Sequence, residues 1–237
     1  MIDSTLKVPI VKFEDSKMNN LDEDIIVEYP LKVILNDVDI GTLLCTPYNL
    51  YELIVGFIKN KGYIEKFKDI DALKIDKESR VAIVNTHDKR IKTEKLGISK
   101  SDININIEKI YKIMERNLTY SSLFKDTGGV HSVSIFDDNK ELIICEDVAR
   151  HNAMDKAIGY CIINDISLED KIVVVSGRIS QEMMLKAVNN NIPIVVSKSA
   201  PTNLSIELAK KLNITLIGFV RGRRMNIYAN EHRIIIK

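Results

Sequence analysis

Short β-branched runs alternate with segments of helical spacing along the chain, more plainly in its second half than in its first. Ile25 to Leu35 is strand-like, Asn36-Asp37 offers a turn, and Val38 to Leu44 can return beside it, which predicts a β-hairpin. Thr46 then supplies an N-cap hydroxyl and Pro47 a first helical residue. Leu50, Leu53, Ile54 and Phe57 recur at helical spacing, so a helix is predicted over Tyr48 to Lys59, closed by a left-handed Gly62. Val81 to Val84 reads as a strand, the polar stretch from Asn85 to Asn106 as a connection, and Ile107 to Asn117 as a helix joining two halves.

In the second half, His131 to Phe136 and Glu141 to Cys145 flank the turn residues Asp137-Asp138-Asn139 and predict another hairpin. A helix from Asp147 to Ile163 carries Val148, Ala153, Ala157, Cys161 and Ile162 near one stripe. Strand (Ile172 to Val175), helix (Ser180 to Asn189), strand (Ile192 to Val196), helix (Pro201 to Leu212) and strand (Ile214 to Val220) then follow. This βαβαβ order requires right-handed crossovers and a largely parallel, buried sheet, with ligands expected beyond the carboxyl ends of its strands.

Composition bounds the class of protein. Across 237 residues, 45% hydrophobic and 28% charged with ten Gly and five Pro is ordinary for a globular chain. No apolar run approaches the roughly 18–20 residues of a membrane span, and Met1 to Ile10 has no signal-peptide core. A cytoplasmic protein without membrane association is therefore expected. The three cysteines, Cys45, Cys145 and Cys161, form no C-x-x-C pair, which argues against a disulfide framework and a cysteine-rich zinc site. The formal charge of +1 conceals an asymmetry: from Lys171 onward eleven Lys or Arg face three Glu, giving +8, against −7 before it. Such a basic segment suits a polyanionic ligand. Absent Trp and few aromatics leave little for base stacking, so nucleic acid is not the expected partner.

The three strand ends share one chemistry. They read Ser176-Gly177-Arg178, Ser197-Lys198-Ser199-Ala200-Pro201-Thr202 and Gly218-Phe219-Val220-Arg221-Gly222-Arg223-Arg224. Each combines small residues with a cation, and the first two lead into helices whose free N–H groups attract anions, which points to phosphate. The segment from Glu146 to Lys156 is denser in polar groups than a buried helix needs. Helical spacing would pair Glu146 with Arg150, and His151 with Asp155, whose carboxylate would then fix the imidazole tautomer. Thr127-Gly128-Gly129-Val130-His131 would let a ligand approach the backbone.

On these motifs, together with Cys45-Thr46-Pro47, the chain resembles the FdhD family of formate dehydrogenase accessory proteins from about Pro30 to Tyr228. Ala149 stands where that family usually has Gly. The resemblance implies an α/β protein: a cytidine-deaminase-like three-layer α/β/α cofactor-binding domain over residues 118–237, after a smaller α+β part over 1–117, assembled as a homodimer. It implies a sulfur carrier that takes sulfur from a cysteine desulfurase as a persulfide. The sulfur passes to a molybdenum or tungsten cofactor bearing two pterin guanine dinucleotides, before insertion into formate dehydrogenase. Phe219, Val220, Arg221, Gly222, Arg223 and Arg224 match the family's cofactor-binding loop. Ser176, Gly177, Arg178, Ser197, Lys198, Ser199, Thr127, Gly128, Gly129, His131, Asp147, Arg150, His151, Asp155 and Lys156 are assigned to the same pocket by their place at the sheet edge.

One departure stands out. Family members carry a C-x-x-C loop before the Thr-Gly-Gly motif, whereas this chain has no cysteine between Cys45 and Cys145. Cys45, before an expected helix N-terminus that would lower its pKa, is the candidate carrier. A chaperone that holds the cofactor without transferring sulfur is the alternative. Zinc-dependent deamination is not expected, because Ser199-Ala200-Pro201-Thr202 offers no thiolate where deaminases place P-C-x-x-C.

Overall fold

The computed structural model describes residues 3–87, 99–138 and 140–236. The chain opens with a two-stranded ribbon, β1 (Thr5–Glu14) and β2 (Lys17–Ile26), paired antiparallel along its length. Leu6, Val11, Phe13 and Met18 stay exposed on it, so no alternation of buried and polar positions announces these strands. The predicted hairpin follows as β3 (Tyr29–Leu35) and β4 (Val38–Cys45). Asn36 and Asp37 both have positive φ, as a twist-matched two-residue turn requires.

Helix α1 (Leu50–Asn60), β5 (Ile70–Asp76) and β6 (Val81–Thr86) complete a four-stranded sheet of order β4-β3-β6-β5. Its core joins Leu31, Val33, Leu35, Ala82 and Val84 to Leu53, Ile54 and Ile58 of α1. The helix starts two residues later than its spacing predicts, after Asn49 in a left-handed conformation, and Thr46 does not cap it. The threonine hydroxyl is drawn instead into a buried contact with Asp147, described below. Gly62 ends the helix at φ 77°, as expected.

Half of the polar connection expected between Asn85 and Asn106 falls at residues 88–98, outside the described residues, as does Asn139 of the second turn. The stretch starts within the last residues of β6 and finishes in β7 (Ile105–Asn106). Helix α2 (Ile107–Thr119) covers one face of the second sheet, so a division at residue 117 separates this helix from the sheet on which it packs. The short α3 (Ser122–Thr127), capped by the Ser121 hydroxyl, leads into the Gly-Gly turn.

The second sheet is built from β8 (His131–Asp137), β9 (Lys140–Asp147), β10 (Ile172–Val175), β11 (Ile194–Ser197), β12 (Thr215–Arg221) and β13 (Arg224–Ala229). Its order is β13-β12-β11-β10-β8-β9, with β10, β11 and β12 parallel as predicted and antiparallel strands at both flanks. Helices α4 (Arg150–Ile163), α5 (Gln181–Asn189) and α6 (Asn203–Lys211) cover the face opposite α2. Strand alternation divides the core accordingly: Val173 and Val175 face α4 and α5, while Ile172 and Val174 face α2. A short β14 (Ile234–Ile235) pairs with β7.

The helix expected from Asp147 begins only at Arg150, because β9 runs on through Asp147. Residues 152–159 are all buried, so α4 has no single apolar stripe; it lies between the sheet and α1. The α1–α4 crossing is backbone to backbone. A Cβ at Gly159 would lie 1.9 Å from the Glu52 carbonyl oxygen, and one at Gly56 the same distance from that of Asp155. This contact fixes the four-stranded sheet against the second core.

Candidate functional site

The carboxyl ends of β10, β11 and β12 meet β8 and β9 at one edge, as the sequence implies. Hydrogen bonds tie the predicted loops together. The Ser197 hydroxyl donates to the Gly177 carbonyl at 2.8 Å and accepts from the Ser199 amide at 2.9 Å. The Phe219 amide donates to the Ser199 carbonyl at 3.1 Å. Gly177 is needed for close approach: a Cβ there would meet His131 Nδ1 at 3.1 Å and Arg150 Cδ at 3.3 Å. Phe219 has φ 52°, a strained value for an aromatic residue, where the β12–β13 pairing slips between Gly218 and Arg221.

At this edge lies a pocket of about 290 Å³ lined by Leu118, Ser121, Phe124, Gly128, Gly129, Val130, His131, Ser132, Glu146, Ser176 and Lys198. Its one acid, Glu146, is 7% exposed, and Oε1 has no hydrogen-bond partner. Burial pushes this carboxyl up to about 7, against the pull of Lys156. His131 is shifted the other way, first by burial and then by Arg150 and Arg178, which favours its neutral form. Arg150 Nε is a second buried atom without a partner. Thr127 acts in the turn itself, donating to the Leu123 carbonyl and accepting from the Gly129 amide.

The remaining predicted residues separate into three groups. Asp147 and Lys156, both fully buried, form a sealed cluster behind the pocket, with Nζ 2.7 Å from Oδ2. Lys156 also donates to Thr46 Oγ1 at 2.8 Å, while Thr46 donates through its amide and its hydroxyl to Asp147, each at 3.0 Å. Ala149 N and Asn152 Nδ2 complete the Asp147 carboxylate, each at 3.0 Å. This is where the expected Thr46 cap goes.

His151 and Asp155 line a different pocket of about 350 Å³ between α1, α4 and α5. The expected His151–Asp155 pair does not form: Asp155 accepts from Asn60 Nδ2 at 2.7 Å and pairs with Lys186, while His151 Nε2 lies 3.5 Å from Glu182. The expected Glu146–Arg150 pair fails because Glu146 belongs to a strand.

The Arg-rich turn forms the third group. Arg221 Nε lies 3.4 Å from the Lys198 carbonyl, its guanidinium over the Phe219 ring, so it stands at the rim of the Glu146 pocket. Arg223 turns away to pair with Glu108 of α2. Arg178 and Arg224 are exposed, Gly222 makes the turn at φ 57°, and Val220 is core. Glu146 and Ser132, which the site reading omits, face each other across β8 and β9. An acid closing the apolar run Leu142-Ile143-Ile144-Cys145 is the sequence signal for it.

All three cysteines are core residues. Cys45, Cys145 and Cys161 are each at most 1% exposed, and burial is the main force pushing each thiol up to about 12. Cys45 donates to the Tyr29 carbonyl and sits five residues before α1, so no helix N-terminus activates it as the sequence suggested. Among the described residues no group of three His, Cys, Asp or Glu could hold a metal ion, and no helix is long and apolar enough to cross a membrane.

Fold and pocket together define a mixed α/β protein with a largely apolar pocket, lined by one acid and one lysine, at the edge of its six-stranded sheet. The chain belongs to the FdhD/NarQ family, which it matches over residues 26–235. It is 37% identical to the sulfur carrier protein FdhD of Bacillus subtilis (strain 168), over 94% of this chain and 95% of that one. With the protein of that name from Staphylococcus aureus (strain MRSA252) it shares 34% identity, over 98% and 97%. The crystal structure of a protein assigned as a formate dehydrogenase accessory protein from Desulfotalea psychrophila superposes with a TM-score of 0.87 at 27% identity, covering 98% of this chain and all of that one.

Proposed function

We propose that this chain serves formate dehydrogenase maturation as a sulfur-delivery protein. It holds a molybdenum or tungsten cofactor with two pterin guanine dinucleotides while sulfur from a cysteine desulfurase reaches the metal. The observation that carries this reading, beyond family membership, is the pocket lined by Glu146, with a buried carboxyl oxygen that has no partner, and by Lys198, whose carbonyl Arg221 approaches. Such a pocket takes a ring system, and the cations outside it suit phosphates. The reading includes a cytidine-deaminase-like core, a homodimer whose two copies match the two dinucleotide arms, and a cytoplasmic setting with desulfurase and dehydrogenase as partners. Because its own thiols are sealed, the sulfur crosses on a thiol that a partner supplies.

Labelled sulfur tests this. Formate dehydrogenase produced without the protein should lack the label and regain it when desulfurase, labelled cysteine and the protein are added together. Full labelling in its absence would overturn the reading. A Cys45→Ser, Cys145→Ser, Cys161→Ser triple variant should transfer as well as the wild type; a folded triple variant that fails would place the carrier thiol in this chain.

A further inference from the structure

The inference rests on the reading above and concerns which chemical group the Glu146 pocket recognises. The other polar groups lining this pocket are partly committed: the Ser176 hydroxyl accepts the Ser132 amide, the Ser132 hydroxyl bonds Asn117, and the Ser121 hydroxyl caps α3. Glu146 Oε1 is a buried acceptor without a donor, at a residue 7% exposed. A buried acceptor in that state selects a ligand that brings an N–H or O–H group, and an ionised one forms its strongest hydrogen bonds with paired donors. Leu118, Phe124 and Val130 supply apolar walls, and Gly128-Gly129 adds a surface with no side chains. At about 290 Å³ the space suits one flat bicyclic ring rather than a whole dinucleotide.

We propose that Glu146 is the specificity-determining residue of this pocket. Its carboxylate accepts from the adjacent ring N–H and exocyclic amine of a 2-amino-4-oxopyrimidine ring. Guanine and pterin both present that edge, and hypoxanthine keeps the ring N–H but lacks the amine. A site built around a hydrogen bond discriminates strongly against the analogue that cannot make it, because its own group is then left buried and unpaired.

Titration calorimetry on the full chain separates the outcomes, with GDP, IDP and a free pterin as probes against wild type, Glu146→Gln and Glu146→Ala. GDP should bind at least about tenfold more tightly than IDP, and the ratio should fall toward one in Glu146→Gln, which keeps the shape and removes the charge. Binding of pterin alone, lost in Glu146→Gln, would assign the pocket to the pterin end instead. Equal affinities for GDP and IDP without Glu146-dependent pterin binding would overturn the role of Glu146, leaving the cargo reading intact. If neither GDP nor pterin binds the wild type, both fall. Should the variants fail to fold, the wild-type GDP-to-IDP ratio and pterin affinity carry the test.

Discussion

Glu146 and Asp147 are consecutive residues of β9 with the same functional group, and the fold treats them in opposite ways. Asp147 is enclosed by Lys156, Thr46, Ala149 and Asn152. Glu146, on the opposite face of the strand, has an oxygen with no partner and looks into a pocket. The sealed cluster joins the loop before α1 to the start of α4, so it fastens the four-stranded sheet to the six-stranded one. Polar density between Glu146 and Lys156 therefore has two causes, a fastening and a binding surface, one residue apart.

The largest expected effect breaks the sealed side. Lys156→Met should destabilise the protein by about 3–5 kcal/mol, because it leaves the Asp147 carboxylate buried without its cation. Urea denaturation measures this. The double variant Asp147→Leu, Lys156→Met should lose less than the two single changes added together, since no charge is then stranded. A cost below about 1 kcal/mol for Lys156→Met would remove the distinction between the two carboxyls.

Glu146 should respond in the opposite direction. Its folded-state pKa is raised to about 7 from an ordinary 4.5, so between those values the folded protein retains a proton that the unfolded chain has released. Stability contributed at this residue therefore falls as pH rises through that window, and the loss is complete above about 7. Glu146→Gln, neutral throughout, should be more stable than wild type by about 3 kcal/mol at pH 8, with the gain vanishing toward pH 4.5. Thermal melts across this range check it. Gained stability beside lost ligand selectivity is the signature of a group held under strain for binding.

Much of this arrangement was legible from residue patterns. The βαβαβ order follows from β-branched runs and helical spacing, and it correctly brings Ser176, Ser197 and Phe219 to one edge. The β1–β2 ribbon was not legible, because neither face is buried consistently and Phe13 and Met18 remain exposed. Nor was the site's division into two pockets. Reading Asp147 as the start of a helix places Glu146 beside Arg150, whereas a strand continued by two residues sends Glu146 and Asp147 to opposite faces. Thr46 shows the same limit: Thr-Pro before an apolar run is a sound capping signal, but a carboxylate 101 residues away claims its hydroxyl.

The smallest expected effect concerns the rim of the open pocket. Sequence makes Arg221 and Arg223 equivalent, two cations in one loop, and the fold separates them. Arg221 lies against Lys198 and the Phe219 ring, whereas Arg223 pairs with Glu108 and leaves its own carbonyl to the Tyr111 hydroxyl at 3.0 Å. Arg221→Ala should weaken GDP binding about tenfold, as expected for one charge-assisted phosphate contact. Arg223→Ala should cost about threefold or less, since that side chain must first leave Glu108 and solvent screens what remains. Raising the salt should shrink both effects, and Arg223's should disappear first. Equal losses in the two variants would mean that the bound ligand reorganises the loop, so that the rim is completed by the cargo and the pocket around Glu146 is its preformed part.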